Sequence, residues 1–175
     1  MTTRAWHDGG TTPDLSPADT ADFVSVYRLH YPRVVGALEL AGLAPAGAED
    51  VGQEAFARAY RNWRRVRKGT NPPGYVYMTA FRLFRQGGGL PGTALDDHDS
   101  PAAGPEDWAV TGITVREAVA RMPPRRRACA VLCLYLGLTA DEAGDVLGIE
   151  ASTVRVQLHR ARTTLQGVLA DAALG

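Results

Sequence analysis

The segment LGIEASTVRVQLHRAR, residues 147–162, carries Arg155, His159, Arg160 and Arg162 and has no carboxylate after Glu150. Guanidinium forks and an imidazole donor on one helical face suit phosphate oxygens. Ser152, Thr153, Val156 and Gln157 beside them offer the hydroxyl, methyl and amide groups that meet base edges in a major groove. A second block, Ala55 to Gln86, holds eight basic residues (Arg58, Arg61, Arg64, Arg65, Arg67, Lys68, Arg82 and Arg85) and again no acid. This is chemistry for holding a polyanion. The four histidines are dispersed and no nucleophile–base pair or metal-ligand spacing emerges, so no catalytic residue, metal or cofactor is expected.

The formal net charge of the 175 residues is zero, which at first argues against nucleic acid. That total conceals the two basic blocks, because the balancing carboxylates lie in the N-terminal stretch, around Glu49–Glu54 and mid-chain. Lys68 is the only lysine, a bias that arginine-rich codon usage explains as well as function does. Hydrophobic content of 45% is enough for real cores. The start, MTTRAWHDGGTTPDLSPA, has no apolar secretion segment, and the longest apolar run, 128–138, is too short to span a bilayer. A cytoplasmic protein without membrane contact is expected. Cys129 and Cys133, one helical turn apart inside that apolar run, read as core packing.

The elements that must position these residues are helical. Residues 1–18 read as a flexible tail. Apolar spacing from Phe23 to Ala41 predicts two helical pieces split by Pro32, with Gly42 as the closing cap. A helix is expected from about Ala46 to Arg67, and another begins with Asn71 as cap and Pro72 at its first position. Residues 87–110 are rich in Gly, Pro and Asp and read as an acidic linker; the DDHD run within it reads as solvated charge. Beyond it, TVREAVARM, PPRRRACAVLCLYLG and TADEAGDVL supply three helices, the last opened by a Thr139–Glu142 capping box. A final helix runs from about Ala151 to Ala170, leaving a short tail at 171–175. The expected fold is all-α: two small helical domains, 19–86 and 111–170, joined by a flexible linker.

The last two helices have the mechanics of a helix-turn-helix. Gly144 stands where two steeply crossing backbones approach, and Gly148 permits the positive φ of a tight connection. Leu147 and Ile149 anchor the turn, while Val154 and Leu158 face the first helix. Thr153, Arg155, Val156, Gln157, His159, Arg160 and Arg162 are then expected on or near the outer face, ready for a major groove.

Both domains together resemble the extracytoplasmic-function (ECF) group of the sigma-70 superfamily. The run Ala48, Glu49, Asp50, Val51, Gln53, Glu54, Phe56 looks like the hallmark of region 2. The ordered blocks RMPPRRR, LGLT, DVLGI and STVRVQLHRAR look like region 4. The resemblance implies a promoter-specificity subunit of bacterial core RNA polymerase, docking on its clamp and flap regions, with promoter DNA as ligand and an anti-sigma factor as a further partner. Glu49, Asp50, Val51, Gln53 and Glu54 would then contact the polymerase clamp. Tyr75, Tyr77, Arg82 and Arg85 in YVYMTAFRLFR would hold the −10 single strand, since ring faces interleaved with cations suit splayed bases and phosphates. Val76, Ala80 and Leu83 are expected in the core of that helix, with Tyr75 or Tyr77 at its rim. Ser152, Thr153, Arg155, Val156, Gln157, His159, Arg160 and Arg162 would read the −35 element.

The chain departs from the family pattern in several places, beginning with Tyr75-Val76 where a Trp-Leu start is usual. Arg82 stands where an Asn is usual, RQGGG replaces an Asp and a basic pair, and Gln157 stands where an arginine is common. Glu150 also occupies the usual serine cap position, with Ser152 as a substitute. Two other readings therefore stay open: a helix-turn-helix repressor or activator, and a degenerate sigma-like regulator that does not initiate.

Overall fold

The computed structural model describes residues 15–89 and 114–174. The expected tail up to residue 14, the linker from residue 90, residues 111–113 and the DDHD cluster lie outside the described residues. Among those described there is no strand, and the fold is all-α with two helical bundles.

The first bundle begins with α1, Pro17–Ala41. The Ser16 side chain caps it by accepting from the Asp19 amide at 3.1 Å, and Gly42 closes it at φ 111°. Pro32 lies inside this one helix, where two pieces were expected. Its missing amide costs a hydrogen bond, but Phe23, Tyr27 and Tyr31 before it and Val34, Ala37 and Leu38 after it pack on the same core. That shared burial keeps the helix continuous. α2, Pro45–Arg61, buries Ala48, Gly52, Ala55, Phe56 and Ala59. It ends earlier than the sequence suggested: Asn62 leaves helical geometry at φ −109°, and a single turn, α3, Trp63–Val66, follows. The break turns Trp63 inward, to 1% exposure against Phe23. α4, Pro72–Gln86, is capped by Asn71 Oδ1, which accepts from the Gly74 amide at 2.9 Å.

The second bundle opens with α5, Val115–Arg121, whose Thr114–Glu117 capping box has both reciprocal bonds. α6, Pro124–Ala130, does not continue as α-helix through the apolar run; Val131–Tyr135 widens into a π-turn. Gly137 then reverses the chain at φ 79°. α7, Ala140–Leu147, and α8, Ala151–Leu174, complete the bundle.

The bundles are not merely tethered. One contiguous apolar cluster runs from Val34 and Phe56 through Phe81 to Leu132, Val146 and Ala161. α1 packs against α5, α6 and the π-turn, and α4 packs against α7.

Candidate nucleic-acid interface

The helix-turn-helix is built from local bonds. Thr139 Oγ1 accepts from the Glu142 amide at 3.2 Å, while Glu142 Oε2 accepts from the Thr139 amide at 2.8 Å. Gly148 closes α7 at φ 70°, and its amide donates to the Gly144 carbonyl at 2.7 Å. A Cβ on Gly144 would stand 2.7 Å from the Ile149 carbonyl oxygen, so only glycine lets the turn close over α7. Val154, Leu158 and Ala161 are buried at 0–6% exposure and seat α8 on the bundle.

That seating fixes what α8 shows to solvent. Ser152, Arg155, Val156, His159, Arg160 and Arg162 are exposed, Val156 at 51%, and Thr153 is half-buried. Ser152 lies inside the first turn of α8, because the helix starts at Ala151 directly after Glu150. Arg155 reaches Asp141 of α7 at 3.4 Å, with both side chains mostly exposed. Arg162 lies near enough to Cys133 for its charge to favour the thiolate, which places it on the side of α8 toward the π-turn.

Gln157 needs correction: it was expected on the outer face and is buried at 9% exposure. Its Oε1 accepts from Arg126 Nε of α6 at 3.5 Å. The reason is periodicity. Positions 154, 157, 158 and 161 follow one inward stripe, so Gln157 falls between Val154 and Ala161. Arg126, at the start of α6, is the residue sequence reasoning missed; the RRR run after two prolines was its only signal.

On α4 the candidates separate. Arg82 is exposed, Tyr75 and Arg85 are half-buried, and Tyr77 is buried at 5% exposure. Tyr77 is the second correction to an expected contact surface. Its hydroxyl meets His30 Nδ1 of α1 at 2.6 Å, so the ring is turned into the bundle rather than toward solvent. Val76 and Ala80 are buried as expected, Leu83 is half-buried, and Phe81 and Phe84 join the core. Burial lowers the His30 pKa, with the neighbouring Arg33 charge adding to the effect. Burial likewise raises that of Tyr77, against the pull of Arg33.

The α2 patch presents Glu49, Asp50 and Gln53 to solvent, while Val51 packs partly against the core. Glu54 is engaged within its own helix, by Arg58 at 2.6 Å and Arg61 at 3.4 Å. Burial holds both thiols in their protonated form, pushing Cys129 up to about 12 and Cys133 up to about 11. No group of three metal-ligating side chains occurs among the described residues, and no described helix is long and apolar enough to cross a membrane.

Comparison with known families matches the two bundles separately. Sigma-70 region 2 covers residues 26–86, and Sigma-70 region 4 covers residues 113–165. The two matches together take in more than half of the chain, which belongs to the sigma-70 family. Region 2 thus corresponds to α1–α4 and region 4 to α5–α8. Among curated sigma relatives, ECF RNA polymerase sigma factor SigE of Mycolicibacterium smegmatis is 34% identical over 70% of this chain and 52% of its own length. ECF sigma factor SigW of Bacillus subtilis is 29% identical over 71% of this chain and 76% of its own. The chain spans about half the length of the first of these, or less in the case of the Streptomyces griseus factor ShbA, at 43%. Among solved structures, the sigma factor RpoE in complex with the anti-sigma factor NepR from Bartonella quintana aligns with TM-score 0.56 at 16% identity. That alignment covers 85% of this sigma chain and 97% of the other. CnrH in complex with the cytosolic domain of CnrY gives 0.54 at 19% identity, over 86% and 89%. These likenesses show a shared sigma fold.

Proposed function

We propose that this chain is an alternative sigma factor, which binds bacterial core RNA polymerase and directs initiation at promoters carrying its −10 and −35 elements. The observation that carries the reading is the outward face of α8. Arg155, Val156, His159 and Arg160 stand exposed on a helix with no acid before Asp171, seated on α7 by a capped and glycine-closed turn. A helix so mounted enters a major groove, with Thr153, Arg155 and Val156 at base edges and Arg160 at phosphates. Arg126, held by Gln157, adds a cation beside the same helix.

In region 2, Arg82, Arg85 and Tyr75 track the single-stranded −10 element. Glu49, Asp50 and Gln53 pair with cations of the polymerase clamp, and region 4 meets the flap. The chain supplies recognition and no bond-making group; phosphodiester chemistry stays with the core enzyme. This places its work with the transcription machinery, in the cytoplasm. An anti-sigma factor is its expected regulator, as NepR is the partner of the similarly folded RpoE.

The deciding experiment is runoff transcription with purified core polymerase over a promoter library. Promoter-specific transcripts that require this chain are expected. Binding to a palindromic duplex as a dimer, with no effect on core polymerase, would replace the sigma reading with a repressor.

A further inference from the structure

The close approach of α7 to α8 places one cross-helix pair on the groove-facing surface. Gly144 lets the chain fold back until a Cβ there would stand 2.7 Å from the Ile149 carbonyl oxygen and 3.4 Å from the Ala151 amide nitrogen. Asp141 lies three residues before Gly144, and Arg155 lies four residues after Ala151. One helical turn on each side of the crossing therefore carries the two side chains to the same spot. Arg155 donates through Nη2 to Asp141 Oδ2 at 3.4 Å. The neighbouring carboxylate is engaged elsewhere, since Glu142 Oε2 accepts from the Thr139 amide and hydroxyl at 2.8 and 3.0 Å. That cap fixes where α7 starts, and so where Asp141 stands.

As a stabilising ion pair this contact contributes little, because the side chains are 61% and 78% exposed and water screens them. Its placement is more informative. α8 carries no acid between Glu150 and Asp171, so the carboxylate beside Arg155 comes from the helix that crosses the phosphate backbone. A negative charge there opposes binding to a polyanion, whatever the sequence of the duplex. An unrestrained arginine on the same surface has many rotamers, and a phosphate is its strongest nearby partner. Phosphate contacts carry no sequence information. Asp141 takes one of the five N–H donors of the guanidinium and fixes the plane of the fork. The remaining donors can meet guanine O6 and N7 together, and a fork already oriented loses less freedom in doing so.

We propose that Asp141 is a positioning residue for −35 recognition: it holds Arg155 off the phosphates and sets its fork to read a guanine in the major groove. The proposal rests on the promoter-reading role of α8. Docking excludes water from the pair, so a contact that is weak in the free chain strengthens when the duplex arrives. Asp141 also suits the positive end of α7. That helix-capping role changes the stability of α7 and every duplex contact alike, whereas positioning of Arg155 acts at one base pair.

The test uses the full chain, with and without bacterial core RNA polymerase, and a duplex library randomised at the −35 positions; bound duplexes are sequenced. The parent is expected to enrich guanine at one position, and Arg155→Ala to lower that enrichment about tenfold or more. Asp141→Asn should lower it about three- to tenfold at the same position only. Its binding to the unselected library at low salt should become tighter, because a negative charge has left the surface. Asp141→Glu keeps the charge and should retain most of the preference, and Asp141→Asn added to Arg155→Ala should lower it no further than Arg155→Ala alone. Asp141→Ser takes the place of Asp141→Asn if the latter loses its helical circular dichroism. Unchanged guanine enrichment in Asp141→Asn, an effect that adds in full to that of Arg155→Ala, or a parent that enriches no guanine overturns the proposal even where the parent directs promoter-specific transcription. Asp141-dependent guanine enrichment by a free dimer that core polymerase does not alter supports the positioning role and removes the sigma reading instead.

Discussion

Region 2 is held together by rings. Phe23 packs on Phe56, Tyr60 and Trp63 at centroid distances of 4.9–6.3 Å, Tyr27 stacks on Tyr31 at 4.9 Å, and Phe81 meets Phe84. Region 4 contains no Phe or Trp among its described residues, and its apolar interior is Ala, Val, Leu, Met and Cys. What it has instead are two capping boxes, a glycine that admits a backbone and two left-handed glycines. One bundle is specified by long-range apolar contact, the other by bonds a few residues apart. Their responses to mutation should differ accordingly.

The largest effect is expected at Trp63. It is almost wholly buried and joins α3 to α1, so Trp63→Ala should cost about 3–5 kcal/mol, measured by urea denaturation. A loss well below that range would mean that the ring cluster is not what holds region 2. Trp63 Nε1 has no hydrogen-bond partner among the described residues, so the loss is one of packing.

Gly144→Ala is the counterpart in region 4. Its Cβ would meet a backbone carbonyl at 2.7 Å, and backbone does not step aside as a side-chain tip does. A destabilisation of about 1–3 kcal/mol is expected, together with loss of −35 duplex binding as the turn opens. Binding at parental affinity would show that the turn has slack. Arg155→Ala should leave stability unchanged and remove about 1–3 kcal/mol of promoter discrimination. The Asp141 bridge it loses is exposed at both ends and contributes little. Unchanged −35 dependence in runoff transcription would remove Arg155 from the interface.

The same contrast explains what the sequence made legible. Thr139 with Glu142, Gly144, Gly148 and the Asn71–Pro72 start are signals complete within a few residues, and the structure has each in its expected role. Pro32 and Asn62 misled because a local rule was overridden in one case and unmarked in the other: shared burial kept α1 whole, and Trp63 turned inward beyond Asn62. Gln157 is a polar residue on an inward stripe, and its spacing from Val154 and Ala161 decides its place where its amide chemistry does not. The contact of Arg33 with Tyr135 joins residues 102 apart in sequence, and nothing short-range announces it. Tyr77 was hidden for the same reason, since its hydroxyl partner His30 lies 47 residues away. Thr139→Ala measures the local kind of specification alone: about 0.5–2 kcal/mol, readable as a lower urea midpoint. A neutral result would mean that α7 is held by packing rather than by its cap.

The smallest expected effect lies where the two kinds of specification meet, at the His30–Tyr77 hydrogen bond. It forms between neutral partners: burial and the Arg33 charge hold His30 below its ordinary 6.5, and burial holds Tyr77 above 10.0. Below pH 6.5 the unfolded chain takes up a proton at His30 that the folded chain resists, so stability falls with pH until the folded value is passed. Above pH 10 the unfolded chain releases the Tyr77 proton first, so stability falls again as pH rises. Between these limits the pair is insensitive to pH. His30→Gln keeps a polar partner for the phenol and removes the titration, so the acid limb of the thermal midpoint should be shallower in the variant than in the parent. Superimposable acid limbs would show that this buried bond, for all its reach along the chain, is no more pH-sensitive than the capping boxes of region 4.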